Sequence, residues 1–379
     1  MKKYIVLLLV MSVLVSCESD NSSFMSAPVT NSPKEESYSS LDIEKIVMDS
    51  VNNSSFGESF ITNDGMIAFV DKHFCTLSKF NPSGEYMQTF LGYGQGPSEV
   101  TVGRVAGQTY MEDGRLMLFG YNLDFHIVDS DLKSKSMFVL NRNSNELIDK
   151  STLTYTNQYN DMVCRSYKDN VYFNIYSEHP EFNYLEHMDE YLAKCRHIWE
   201  VDIKTQEDKR LLAPGYPNSY LNDRYKNVVF LGTCFDVDKH GNFYVKYDSD
   251  SLIYVYDNDF TPLMTYGYEG LNMDKNYLSI YNYKESRKNY RSERNGKGYY
   301  YWIEYVDETG LLFVSYRKKD EFLDGLQIYK DGRMLADVDV PKKFRVMGYI
   351  EPYYYSYVIP NLDEEDDSIL IYRFKMLKK

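Results

Sequence analysis

The 379-residue sequence contains no C-x-x-C pair, no G-x-S-x-G and no H-E-x-x-H. It therefore indicates no zinc ribbon, redox dithiol, nucleophile elbow or zincin helix. Its 6 His are dispersed, so spacing argues for no Ser-His-Asp arrangement. Basic residues are in deficit, with 42 Lys and Arg against 56 Asp and Glu and a net charge of −14. Such a balance lacks the footprint that nucleic-acid binding requires, and none is expected as a partner. After residue 16 no apolar run reaches the roughly 20 residues that cross a bilayer.

The amino terminus is distinctive. Lys2 and Lys3 precede a short apolar run, Ile5 to Ser16, too short to span and arranged like a secretory signal. The run ends Leu14-Val15-Ser16-Cys17, which resembles a bacterial lipobox. That resemblance implies a signal peptide over 1–16 and a diacylated Cys17 as the mature terminus. The alternative is an ordinary signal with a chance Cys at the cleavage point. Lipidation would anchor the chain to a membrane rather than thread it through, and loss of Lys2 and Lys3 leaves a mature charge of −16. Residues 17–40, rich in Ser, Asn, Pro and Glu, hold too little apolar surface to order themselves and read as a flexible, disordered tether. Glu18 and Asp20 resemble an acidic surface-export signal, so the expected location is the outer membrane, periplasmic or surface-exposed.

Tyr numbers 38 and Phe 20, against only 11 Pro, a bias toward pleated, half-buried strands. Within residues 41–379 one pattern recurs: a polar residue, then Gly or Asn, then a strand. It stands at Asn63-Asp64-Gly65, Glu112-Asp113-Gly114, Lys168-Asp169-Asn170, Lys239-His240-Gly241 and Glu308-Thr309-Gly310, with a degenerate copy at Asp366-Asp367-Ser368. Gly or Asn supplies the positive φ of a tight hairpin. Further strands flank most copies, and four antiparallel strands per unit is the anatomy of a propeller blade. Six copies predict an all-β, six-bladed β-propeller. The last copy ends early, so the alternating segment 41–51 is expected to pair into the final blade, since an open edge is a hazard. Two stacked sandwiches are the alternative, but they need no sixfold pattern.

With Cys17, the stretch Phe80-Asn81-Pro82-Ser83-Gly84-Glu85-Tyr86 and the turn Gly92-Tyr93-Gly94-Gln95-Gly96-Pro97-Ser98-Glu99, the chain resembles the TolB-like six-bladed propeller lipoproteins of the Bacteroidota. These are also similar to NHL-repeat propellers. The resemblance implies architecture and anchoring, and no shared catalytic residues map onto this chain. The glycines of the turn lead into Pro97, not into a helix, so a dinucleotide loop is not the reading.

Two insertions interrupt the blades. Glu181 to Arg196 places Leu185, Met188, Leu192 and Cys195 at helical spacing, and Leu271 to Lys297 places Lys284, Arg287, Lys288 and Arg291 on one helical face. That basic stripe could meet an anionic ligand or lipid headgroups, or be a solvated face. Tyr301 and Trp302, within Tyr299-Tyr300-Tyr301-Trp302, could stack on sugar rings or serve as core. The Asp-rich loops at 129–131, 248–250 and 257–259 lack the Gly and Glu of a calcium loop, and Asp is a favoured turn residue. No metal or cofactor is expected. The functional expectation is a membrane-anchored binding or scaffolding lipoprotein that takes a protein or glycan ligand through propeller loops. The alternative is a glycan- or lactone-acting hydrolase or lyase at the central channel.

Overall fold

The computed structural model describes residues 22–378 apart from 36, 50–51, 55, 97, 133–134, 141–152, 157–161, 179–186, 321 and 360–368. Cys17, the signal segment, Pro97, Leu185 and the turn at 366–368 lie outside the described residues.

The chain first lays down β1 (Tyr38–Val47) and then builds blades in sequence. Blade one is β2 (Gly57–Ile61), β3 (Ile67–Asp71), β4 (Thr76–Phe80) and β5 (Tyr86–Leu91). Blade two is β6 (Val105–Tyr110), β7 (Leu116–Gly120), β8 (Asp124–Val128) and β9 (Lys135–Val139). In blade three, β10 (Leu153–Thr156) and β11 (Cys164–Tyr167) both pair with β12 (Asn170–Glu178), followed by β13 (Arg196–Asp202) and β14 (Glu207–Pro214). Blade four is β15 (Thr233–Val237), β16 (Phe243–Tyr247), β17 (Ile253–Tyr256) and β18 (Pro262–Tyr266). Blade five is β19 (Tyr300–Val306), β20 (Leu311–Tyr316), β21 (Leu323–Lys330) and β22 (Arg333–Pro341). Blade six is β23 (Val346–Ile350), β24 (Tyr353–Ser356) and β25 (Leu370–Lys378), completed by β1.

Burial explains why the repeats read as they do. The second strand of a blade is sandwiched by neighbouring blades, so β3, β7 and β20 are buried at every position and read as continuous apolar runs. The outer strand β5 is largely exposed. The first turns of blades one, two, four and five carry Gly65, Gly114, Gly241 and Gly310 at φ between 66° and 87°, where a side chain would be strained. In the third blade Lys168 takes φ 54° within a two-residue turn joining Tyr167 to Asn170, so the positive φ sits on Lys168 and not on Asn170.

Closure by an amino-terminal strand is as expected, with a shifted frame. β1 runs antiparallel to β25 from Tyr38↔Lys378 to Val47↔Leu370. The sixth repeat sits one strand earlier than its sequence pattern suggests. ILIYRF belongs to β25, the third strand of its blade, and the turn after the first strand falls at Glu351-Pro352, between β23 and β24. Neither Gly nor Asn marks that turn, which is why the pattern attached to a later segment.

The segment read as a free tether departs from that reading from Ser22 onward. Ser23 N donates to Ala193 O at 2.8 Å, Thr30 N to Thr265 O at 2.8 Å, and Glu35 N to Met334 O at 3.0 Å. Phe24 packs edge-on against Tyr247 and Tyr254, with ring centroids 6.1 and 5.0 Å away. Tyr256 donates to Met25 O at 2.8 Å. The segment is poor in apolar residues, but the blade edges beneath it supply both the carbonyls and the aromatic surface. It is a strap over blades three to five that leads into β1.

Among the described residues four helices sit outside the sheets: α1 (Met188–Lys194), α2 (Asn218–Asn222), α3 (Arg224–Asn227) and α4 (Tyr283–Gly296). α1 and α4 occupy the two insertions in which helical spacing was read. Asn282 caps α4 by accepting from Glu285 N.

Candidate ligand cavity in the propeller channel

The first strands β2, β6, β11, β15, β19 and β23 line the channel, and a buried ionic cluster divides it. Arg165 Nε on β11 lies 2.5 Å from Asp236 Oδ1 on β15, and its Nη2 lies 2.8 Å from Glu304 Oε2 on β19. Asp236 also accepts from Tyr305 N at 2.6 Å, and Glu304 from Trp302 Nε1 at 3.1 Å. Burial pushes the Glu304 carboxyl well above the usual carboxylate range and moves Asp236 upward, against the pull of Arg165. Burial also works against the Arg165 charge, but Glu304, Tyr357 and Asp236 outweigh it and hold the guanidinium above its ordinary value.

On either side of this cluster the channel opens into a cavity, and the two differ in charge. One, of about 980 Å³, is lined by the starts of the inner strands and by α4. Five cationic side chains line it, Arg287, Arg294, Arg317, Lys343 and Arg345, against Glu58, Asp248 and Asp324. Asp248 is ion-paired with Arg294, and Asp324 with Lys342 at 2.9 Å. Arg317 Nη2 donates to Asn295 O at 2.5 Å, while its Nε is buried without a hydrogen-bond partner. An orphaned donor of that kind costs about 1–3 kcal/mol until something accepts from it. The other cavity, about 710 Å³, is lined by the strand ends and first turns. Glu58, Glu112, Asp236, Asp238, Glu304, Asp307 and Glu308 line it together with Arg165, Lys168 and Lys239, and Glu58 is also ion-paired with Lys72 at 3.3 Å. Burial raises Asp307 to about 6. The channel of this acidic protein thus has one basic and one acidic mouth.

The sequence-selected residues divide along this geometry. Lys284, Arg287, Lys288 and Arg291 are all exposed on α4, and of these Arg287 lines the basic cavity. Tyr301 and Trp302 line it as well. Tyr301 donates to Asp324 and to Phe344 O, both at 3.1 Å. Trp302 is buried as a wall, with Arg165 and Arg345 lying 5.0 and 4.8 Å from its ring centroid. Sequence reading passed over Arg165, Asp236, Glu304, Arg317, Lys343 and Arg345, whereas Arg294 continues the basic run of α4. Arg165, Asp236 and Glu304 each stand as the single charge of a strand, while Arg317, Lys343 and Arg345 lie in short basic runs between strands.

Among the described residues no group of three or more His, Cys, Asp or Glu is placed to hold a metal ion. Two of the Asp-rich loops brace the structure instead. Asp250 accepts from Ser219, Tyr254 and Leu252 N, and Asp257 from Asp259 N and Thr261 N. The Gly-rich turn closes on itself, with Gly96 N donating to Glu99 Oε2 at 2.7 Å and Val100 N to Gly92 O at 2.7 Å. Cys75, Cys164, Cys195 and Cys234 are free and buried.

Near the basic mouth, His197 is buried against Gly215 O at 3.1 Å and the Tyr216 ring. Burial depresses it to about 3. The unfolded chain takes up this proton below about 6.5 and the folded one does not, so stability is lost as pH falls through 6.5 toward 3. The expected contribution is a loss of about 2–3 kcal/mol between pH 6.5 and 4.5. Urea unfolding at the two pH values, in the parent and in His197→Gln, reads it as a flatter profile in the variant.

No protein-family model matches the sequence, and no curated protein matches it. Solved structures do. A member of the DUF4221 family from Bacteroides vulgatus superposes with a TM-score of 0.67 at 11% identity, covering 91% of this chain and 100% of that one. A protein from Bacteroides fragilis, described provisionally as exported, gives 0.52 at 12% identity, covering 89% and 95%. At that identity the likeness shows the fold alone. Among the described residues no helix is long and apolar enough to cross a membrane.

Proposed function

We propose that this chain is a lipid-anchored binding protein whose basic channel mouth takes an acidic glycan. The carrying observation is the 980 Å³ cavity, where five cations outnumber three carboxylates on a chain of net charge −14. Its size is that of a small-molecule site. Arginine forks match carboxylate and sulfate, and Arg287 and Lys343 stand exposed in the cavity lining. Tyr290, Tyr299 and Tyr301 supply ring surface on the same wall. A concave site suits a glycan better than the flat face of a folded protein.

Anchoring through Cys17, an outer-membrane location and membership of the TolB-like or NHL-like lipoproteins are supported by the lipobox and by the Gly92–Glu99 turn. The Bacteroides fragilis neighbour, described provisionally as exported, is consistent with export. A hydrolase or lyase is the weaker reading. The carboxylate pair it would recruit, Asp236 and Glu304, is held by Arg165, Tyr305 N and Trp302, which suits bracing more than proton transfer.

Isothermal titration with uronic-acid and neutral oligosaccharides of equal length tests the reading. The parent is expected to bind the acidic series and to weaken with salt. Lys343→Glu and Arg287→Glu should each lower affinity about tenfold, the effect of one charge-assisted contact. Equal binding of the neutral series would overturn it.

A further inference from the structure

The strap fixes where the chain leaves the propeller, and that place is the basic mouth. Ser23 is hydrogen-bonded to Ala193 O at the end of α1, by its N at 2.8 Å and its hydroxyl at 2.7 Å, and Tyr191 of α1 lines the basic cavity. α1 is tied to α3 by the Asp189–Arg224 ion pair. α3 in turn packs on the approach to α4, with Tyr225 and Tyr281 centroids 4.7 Å apart and Ile280 N donating to Tyr225 O at 2.8 Å. Ser22, the helices and the cavity rim therefore form one continuous cap. From Cys17 to Ser22 is a leash of five residue steps, which reaches no further than about 18 Å.

This cap carries the surface chemistry of a membrane-interfacial helix. Lys284, Arg287, Lys288 and Arg291 are exposed, and Tyr281, Tyr290 and Leu278 stand 66, 50 and 47% exposed beside them. The two acids of α4 are occupied by backbone donors. Glu285 accepts from Tyr281 N at 3.1 Å and Glu293 from Leu278 N at 2.9 Å, so both are held by backbone. Cations mixed with aromatic and leucine side chains suit an anionic headgroup layer. The opposite mouth, with Glu112, Asp238, Asp307 and Glu308, would be repelled by it.

We infer that the α4 cap docks on an anionic bilayer surface and holds the basic cavity mouth toward the membrane, so that the ligand is taken from the envelope side. The leash rests on the lipid-anchor reading above; the charge and exposure of the cap stand apart from it. The test uses the full-length protein on phosphatidylcholine vesicles containing phosphatidylglycerol and brominated lipid. A fluorophore is attached at Tyr281→Cys or, on the opposite mouth, at Lys239→Cys; the four native thiols after Cys17 are buried, and where Cys17 is found unmodified the labelled variants also carry Cys17→Ser, so that the label stays selective. Quenching is expected at 281 and absent at 239, and lost at 281 when Lys284, Arg287, Lys288 and Arg291 are all changed to Glu. Equal quenching at both labels, quenching at 239 alone, or quenching at 281 that survives the charge reversal overturns the inference. Mass spectrometry of Cys17 reads the anchor separately: an unmodified Cys17 with quenching at 281 removes the anchor and leaves the docking standing.

Discussion

Replacing Arg165 by Met is expected to lower the unfolding free energy by about 3–5 kcal/mol, because two buried carboxylates lose their counter-charge. Arg165 bridges Asp236 and Glu304 across blades three, four and five, so the damage falls where three sheets meet. The triple variant Arg165→Met, Asp236→Asn and Glu304→Gln is expected to recover much of the loss, since it removes the buried charge and not only its partner. Urea unfolding of parent, single and triple variants measures both steps. The pH dependence carries a second signature. In the single variant burial drives Glu304 and Asp236 further toward their neutral forms, so its stability deficit should shrink as pH falls through the raised carboxylate range. An Arg165→Met protein as stable as the parent would show that the cluster does not brace the channel.

Removing β1 should cost still more. Ile46 is 6% exposed, and Tyr38, Leu41 and Ile43 pack on the cluster around Phe344 and Phe374. At roughly 1.5–3 kcal/mol for each large apolar side chain, this strand contributes an amount comparable to the whole stability of an ordinary domain. Its loss also bares β25 as an unpaired edge from Leu370 to Lys378, open to pairing with another chain. A chain beginning at Met48 is therefore expected to lose its cooperative thermal transition and to self-associate, as read by calorimetry and light scattering. Mixing that chain with a synthetic peptide of residues 22–47 should restore the transition. A monomeric, cooperatively folding truncation would contradict closure by β1.

The fold was legible because its repeat is written in backbone chemistry. Gly65, Gly114, Gly241 and Gly310 mark turns that need positive φ, and the strands after them are apolar because neighbouring blades cover both faces. Reading failed where that chemistry was replaced. At Glu351-Pro352 no Gly or Asn marks the turn, and the sixth repeat was placed one strand late. The strap failed differently: Ser22 to Ser37 is poor in apolar residues, and only the blade edges show what covers Phe24. The site was half legible. Tyr301 and Trp302 were found as aromatics and α4 as a basic stripe, but the cations of the cavity come together from α4, from the end of β20 and from the link between blades five and six. Arg165, Asp236 and Glu304 are each a single charge in an apolar strand. Nothing in one strand says that the other two charges lie within hydrogen-bonding distance.

The most direct measurement is a crystal structure of the protein soaked with an acidic oligosaccharide. The account predicts the sugar in the basic mouth, with a carboxylate or sulfate accepting from Arg287 or Lys343 and a ring against Tyr299 or Tyr301. A sugar lodged in the acidic mouth beside Asp238 and Asp307, or a neutral sugar occupying the basic mouth equally well, would contradict it.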